Sequence, residues 1–104
     1  SDLEDEILKV QSEVDIAVRH VDISFRKLLA RETAMQSAMA ELQSQQERME
    51  LSLNEENLGL GLNLLLDSQD RLAEQENQLA SAQSEYMISW VSLKRAMGTL
   101  VMIK

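Results

Sequence analysis

Apolar residues recur at every seventh position along both halves of the chain. Steps of seven from Ile7 reach Val14, Val21, Leu28, Met35, Leu42 and Met49. Steps of seven from Leu65 reach Leu72, Leu79, Tyr86, Leu93 and Leu100. Such a heptad repeat is typical of long α-helices that pair as a coiled coil. The pattern therefore predicts two helices, each with an apolar seam.

Helix propensity falls sharply at one place between these two repeats. The segment there reads Leu58-Gly59-Leu60-Gly61-Leu62-Asn63. Glycine can close a helix by adopting the left-handed conformation, and asparagine can cap the helix that follows. The sequence therefore predicts a hairpin turn near 58–63, between helices at about 3–57 and 63–101.

The two seams also predict how the helices face each other. In an antiparallel pair the numbers of facing residues have a constant sum, and a sum of 121 pairs Met49 with Leu72 and Leu28 with Leu93. The midpoint of this register falls between Leu60 and Gly61, in agreement with the glycines. The predicted fold is therefore all-α, a long antiparallel coiled-coil helical hairpin.

The second apolar position of each heptad is less regular in the first helix. The candidates follow two neighbouring offsets, with Val10, Ala17 and Ala38 on one and Val18, Phe25, Met39 and Leu53 on the next. The apolar stripe is thus broader than one seam. The predicted register also leaves 1–16 without a partner, which indicates missing chain, another subunit or local disorder. We expect the hairpin to pack with further copies through this stripe.

Composition argues against an enzyme. The 104 residues include no cysteine, no proline and a single histidine. A thiolate metal site is therefore impossible, and little is left for imidazole chemistry. The numerous carboxylates have no spacing that defines an acid–base pair, and His20 and the six methionines are assigned to the surface and to packing. We predict no catalytic residue, no metal ligand and no cofactor.

Charge and hydropathy argue against two kinds of partner. Ten Lys and Arg are outnumbered by eighteen Asp and Glu, which gives a net charge of −8. Nucleic-acid binding needs clustered basic residues to neutralise phosphates. A membrane-spanning helix needs about 18 or more consecutive apolar residues, and the sequence has no such stretch. We therefore expect no nucleic-acid partner and no membrane span in this sequence.

Three motifs follow one another in the second half of the chain. They are Leu64-Leu65-Leu66-Asp67-Ser68-Gln69 after the glycines, an alanine-containing helix with Tyr86, and a closing Leu93-Lys94-Arg95-Ala96-Met97-Gly98-Thr99-Leu100. In this order they resemble the TolC-like outer-membrane efflux proteins, in particular the second of the two repeats of that family. The resemblance covers most of the chain. It implies that 1–104 form a single helical hairpin of a periplasmic α-barrel domain, in the periplasmic part of an outer-membrane protein.

The resemblance also implies transport without catalysis. The family forms trimeric, passive ducts for drugs, metals or secreted polypeptides. A periplasmic adaptor protein docks to the hairpin tips, and an inner-membrane pump supplies the energy indirectly. By this resemblance 58–63 would be the adaptor-docking tip. The alternative is that the leucines of this segment fold back and cap the hairpin core.

Two aspartates acquire a role from the same resemblance. The acidic residue that the family has at the position of Asp67 lines the narrow periplasmic mouth, where three copies form a negative ring. Asp70, one turn further along the same face, is the second candidate. The chain departs from the family at Leu64, where a polar or acidic residue is common, and in a spacing from Gly59 to Asp67 that is one residue shorter. Alternatively, Asp67 only stabilises the first turn of the second helix through the helix dipole.

Two other functions remain open on the sequence. One is a structural coiled-coil module that only oligomerises or acts as a scaffold. The other is the hairpin of the periplasmic adaptor itself, which shares the leucine and alanine periodicity. The closing motif that ends at Leu100 argues against the adaptor.

Overall fold

The computed structural model describes residues 1–51 and 55–103, which form two long helices. Helix α1 spans Asp2–Leu51, and helix α2 spans Glu55–Ile103. No proline removes a backbone donor, and the common Leu, Ala, Glu and Gln have high helix propensity. The predicted all-α class, with two long helices in a hairpin, is confirmed.

Helix α1 begins with a serine cap. The Ser1 hydroxyl oxygen accepts a hydrogen bond from the backbone N–H of Glu4 at 3.3 Å, and the Ser1 carbonyl accepts one from the N–H of Asp5 at 3.1 Å. Carboxylates in the first turn and Arg48 in the last turn have the signs that the helix dipole favours. These interactions stabilise the two ends of α1, where backbone groups lack hydrogen-bond partners within the helix.

The chain forms two compact units. Unit 1 consists of Ser1–Leu28 and Ala82–Lys104, and unit 2 consists of Leu29–Ser81. In unit 1, the Lys27 ammonium lies 3.1 Å from a carboxylate oxygen of Glu85. Two residues earlier on α1, Phe25 faces Tyr86, one residue later on α2. The α1 and α2 segments of unit 1 are therefore antiparallel.

Unit 2 shows the same direction of pairing. The Arg71 guanidinium lies 2.8 Å from a carboxylate oxygen of Glu41. Further along α1, the sulfur of Met49 lies 3.9 Å from the position that a Cβ atom would take at Gly61. Residue numbers again rise on α1 as they fall on α2, so this unit is also an antiparallel helix pair.

The predicted turn near 58–63 is wrong. Helix α2 already begins at Glu55, and no described residue, glycine or other, has a positive φ. Gly59 and Gly61 are therefore ordinary helical residues. Glycine permits the left-handed conformation but does not require it, and its cost of about 1 kcal/mol within a helix is small. The leucines on alternate positions of this segment have high helix propensity and offset that cost.

The predicted register of the two helices is also wrong. Facing residues have numbers that add to 110–112, as for Met49 with Gly61 and Lys27 with Glu85, and not to 121. This register places Val10 opposite the end of α2, where its side chain is only 5% exposed. Ile7 and Val14 are half-buried. The expectation that 1–16 lack a partner is therefore wrong from Ile7 onwards.

Burial identifies the second seam position, which the sequence left open. Buried or half-buried residues recur by sevens at Val10, Ala17, Ser24, Arg31, Ala38 and Gln45 on α1, and at Gly61, Ser68, Gln75, Ala82, Ser89 and Ala96 on α2. At the other offset Val18, Phe25 and Met39 are exposed, and Leu53 lies outside the described residues. The register thus places most large seam residues opposite small ones, such as Leu28 opposite Ala82. Alternating sizes fill the space between two helices efficiently.

Candidate functional site

The segment 58–63, predicted as the docking tip, is the first part of α2 whose side chains the structure describes. Its three leucines and the next one remain partly exposed, between 38% for Leu64 and 62% for Leu60. Gly59 has open space where a side chain would be, whereas Gly61 faces Met49. Asn63 is exposed. The predicted tip residues are therefore accessible, but they lie on a helix and not in a turn.

A small apolar cavity lies beside this segment in unit 2. Its volume is about 160 Å³, and it is lined by Gln45, Arg48, Met49, Leu58, Leu60, Gly61 and Leu64. Leu58, Leu60 and Leu64 therefore turn towards α1, while Leu62 is not among the lining residues. These leucines line the cavity together with residues of α1, and they also present apolar surface to solvent.

Asp67 and Asp70 are both exposed on α2. Neither carboxylate forms an ion pair or hydrogen bond with another described residue. The alternative that Asp67 stabilises the first turn is wrong, because α2 begins at Glu55 and the dipole acts only within about one turn of the end. The two aspartates are thus free to act on solvent or on a neighbouring molecule.

Polar side chains occupy the seam of unit 2, and sequence reasoning missed them. The Oε1 atoms of Gln75 and Gln78 are buried without a hydrogen-bond donor among the described residues. The Gln78 amide nitrogen donates to Glu74 at 2.8 Å. Ser68 is 1% exposed, and its hydroxyl donates to the Leu64 carbonyl at 2.9 Å. Steps of seven from Gly61 reach Ser68 and Gln75, so the heptad repeat contained this signal.

Replacing Gln75 with leucine is expected to raise the free energy of unfolding by about 1 kcal/mol. Leucine has a similar size and removes a buried acceptor that lacks a donor, whose burial costs about 1–3 kcal/mol. Urea unfolding followed by circular dichroism measures the change. Gln69→Leu, at an exposed position of the same helix, is the matched control and should change stability by less than about 0.5 kcal/mol. An unchanged or lower stability of Gln75→Leu would contradict the prediction.

All three aromatic residues of the chain gather in unit 1. The ring centroids of Phe25 and Tyr86 are 5.6 Å apart, and those of Tyr86 and Trp90 are 6.3 Å apart in an edge-to-face arrangement. Tyr86 lies in the seam, whereas Phe25 and Trp90 are each more than 40% exposed. An open groove next to the cluster is lined by Val18, Val21, Asp22, Phe25 and Tyr86. The cluster thus extends the apolar seam to the surface.

Exposed apolar residues also occur on the side of α2 that faces away from α1. Seven residues between 87 and 102 are 42–87% exposed, namely Met87, Ile88, Trp90, Val91, Met97, Val101 and Met102. At about 100° per residue they spread over about half of the helix circumference. Helices that are apolar nearly all round are typical of buried positions. We call the surface of Met87, Ile88, Val91, Lys94, Val101 and Met102 the α2 outer side.

Helix α1 has a comparable surface in the same unit. Leu8, Ile16 and Ile23 are each more than 60% exposed, and they lie away from the seam together with Asp15. We call the surface of these four residues the α1 outer side. Exposed apolar clusters often mark interaction sites. Unit 1 therefore presents two separate exposed apolar surfaces, one on each helix.

No group of three or more His, Cys, Asp or Glu side chains is arranged to hold a metal ion in the described part of the chain. Neither helix, over the residues that the structure describes, contains a segment that is long and apolar enough to cross a membrane.

The fold places the chain in the class of antiparallel helical hairpins with coiled-coil packing. Comparison with protein-family models, with curated proteins and with solved structures finds no match. The geometry of the surfaces described above therefore carries the functional argument.

Proposed function

We propose that this hairpin is part of a passive trans-periplasmic efflux or secretion duct, of the kind that the TolC-like resemblance implies. In this proposal the hairpin forms one section of a helical wall within a homo-oligomer, a trimer in the full-length protein. Its tip docks to a periplasmic adaptor protein, which connects the duct to an inner-membrane pump. The function is transport, and the chain supplies no catalytic group.

The observation that carries this proposal is the apolar surface on the outer sides of both helices in unit 1. A helix pair that worked alone would need one apolar seam, with polar residues on the remaining surface. A wall section has a neighbour on each side, and it therefore needs apolar residues on both helices away from their common seam. The α1 and α2 outer sides meet this requirement.

The tip and the aspartates have complementary roles in the proposal. The exposed leucines of 58–63 offer apolar contact area for the adaptor, and the cavity of about 160 Å³ next to them could receive an apolar side chain. Asp67 and Asp70 lie shortly after the tip on α2 and are exposed. Three copies around an axis would place a ring of carboxylates near the mouth of the duct, which would favour cations there.

Changing Leu60 and Leu62 together to serine tests the docking role of the tip. We expect at least about tenfold weaker binding to the periplasmic adaptor, equivalent to about 1.4 kcal/mol, because apolar contact area is lost. We expect little change in thermal stability, since both leucines are more than 40% exposed. Binding is measured by calorimetry with purified adaptors of the source organism, and stability by circular dichroism.

Leu66→Ser is the matched control for the tip variant. Leu66 is 56% exposed and lies one turn further along α2, outside 58–63. The control should bind the adaptor as the unchanged chain does. A large loss of stability in the tip variant would show that the leucines cap the hairpin core. Failure of the unchanged chain to bind any of the adaptors would count against the duct.

A further inference from the structure

We infer that the α2 outer side binds the α1 outer side of a second copy of this chain. The inference goes beyond the proposed duct, because it concerns the contact that two copies of this hairpin make with each other. It concerns self-association alone and is measured without an adaptor. A failure here is therefore distinguishable from a failure of the docking proposal.

Charge complementarity is the first argument. The α2 segment of unit 1, residues 82–104, has three Lys and Arg against a single carboxylate, that of Glu85. The α1 segment of unit 1, residues 1–28, has seven carboxylates against four Lys and Arg. One helix of the unit is therefore cationic and the other is anionic. Two copies that place α2 of one against α1 of the other bring opposite charges together.

The register supplies the second argument, since it places matching residues at the same level of unit 1. Asp15 lies level with Lys94, as facing residues have numbers that add to about 110. By the same register Ile23 lies level with Ile88, and Leu8 lies level with Val101. When two copies lie side by side and point in the same direction, these pairs meet. The contact would then combine apolar packing with one ion pair on the same edge of both surfaces.

The symmetry of this contact follows from its two different surfaces. Each copy uses its α1 outer side towards one neighbour and its α2 outer side towards another, so the contact is heterologous and leads to a ring or an open chain. A two-fold contact between two α2 outer sides would bring Lys94 and Arg95 against their own counterparts. Repulsion between like charges disfavours that alternative.

A pair of charge reversals tests the inference. Lys94→Glu and Asp15→Lys each place like charges across the proposed contact, and both positions are exposed in the single chain. Sedimentation equilibrium should show assemblies larger than a dimer for the unchanged chain and at least about tenfold weaker association for each variant alone. An equimolar mixture of the two variants should recover association, because each then offers the charge that the other lacks.

The controls separate the contact from overall charge and from folding. Gln36→Glu combined with Gln43→Glu changes the net charge as much as Lys94→Glu does, at exposed positions of unit 2, and should associate normally. Lys94→Gln weakens the attraction without repulsion and should give an intermediate result. Circular dichroism checks that every variant is helical. A monomeric unchanged chain, a limiting dimer, or a mixture that fails to recover association would overturn the inference.

Discussion

Replacing Leu93 with alanine is expected to lower the free energy of unfolding by about 2–5 kcal/mol. Leu93 lies in the seam of unit 1 and is only 7% exposed. The register places it opposite Ala17, itself 9% exposed. Since the facing residue is already small, it cannot fill the cavity that the truncation would leave. Urea unfolding monitored by circular dichroism gives the change in stability.

Leu66→Ala provides the matched control for this prediction. It makes the same chemical change on the same helix at a residue that is 56% exposed. We expect a loss of less than about 1 kcal/mol, because little apolar surface returns to water. Equal effects of the two substitutions would mean that the seam does not pass through Leu93.

Changing Gly59 and Gly61 together to alanine is expected to raise the free energy of unfolding by about 2 kcal/mol. Alanine is favoured over glycine by about 0.8–1.0 kcal/mol at each helical position. A Cβ atom at Gly59 would meet nothing within 4 Å, and one at Gly61 would reach only the Met49 sulfur, at an ordinary contact distance of 3.9 Å. Thermal and urea unfolding both report the gain.

The sign of this effect distinguishes the observed helix from the turn that the sequence predicted. In a turn with left-handed glycines, alanine would be strained and the protein would lose stability. Gly98→Ala is a useful reference, since Gly98 is also helical and has open space around it. It should be mildly stabilising in either case. A loss of stability in the double variant would indicate that 58–63 form a turn and not a helix.

The sequence predicts only some of the exposed apolar surfaces, namely the segment 58–63 but not the α1 and α2 outer sides. Leucines around Gly59 and Gly61 indicated an apolar tip from composition alone, and their exposure agrees with an accessible surface. The α1 and α2 outer sides could not be separated from the seam, because the apolar stripe was broader than one seam and either offset satisfied the heptad. Only burial showed that Val10 faces the other helix while Val18 does not.

The buried polar residues illustrate the same difficulty. Gln75 and Ser68 appear in the sequence as ordinary solvent-facing residues of a charged helix. Their place in the seam depends on which side of α2 meets α1, a property of the assembled pair. Polar residues in a seam are known to select partner and register at a cost in stability. The expected gain from Gln75→Leu measures that cost in this protein.

The sequence by itself determined the all-α class and the two long helices, since the heptad period and the helix-favouring composition do not depend on distant contacts. The tertiary structure decided where α2 begins, which register holds and which surfaces remain open. A heptad repeat matches itself after each shift of seven residues, so periodicity alone cannot select a register. Packing selects the register. A large residue opposite a small one, as Met49 opposite Gly61, fills the space between the helices, whereas two large residues facing each other would force the helices apart.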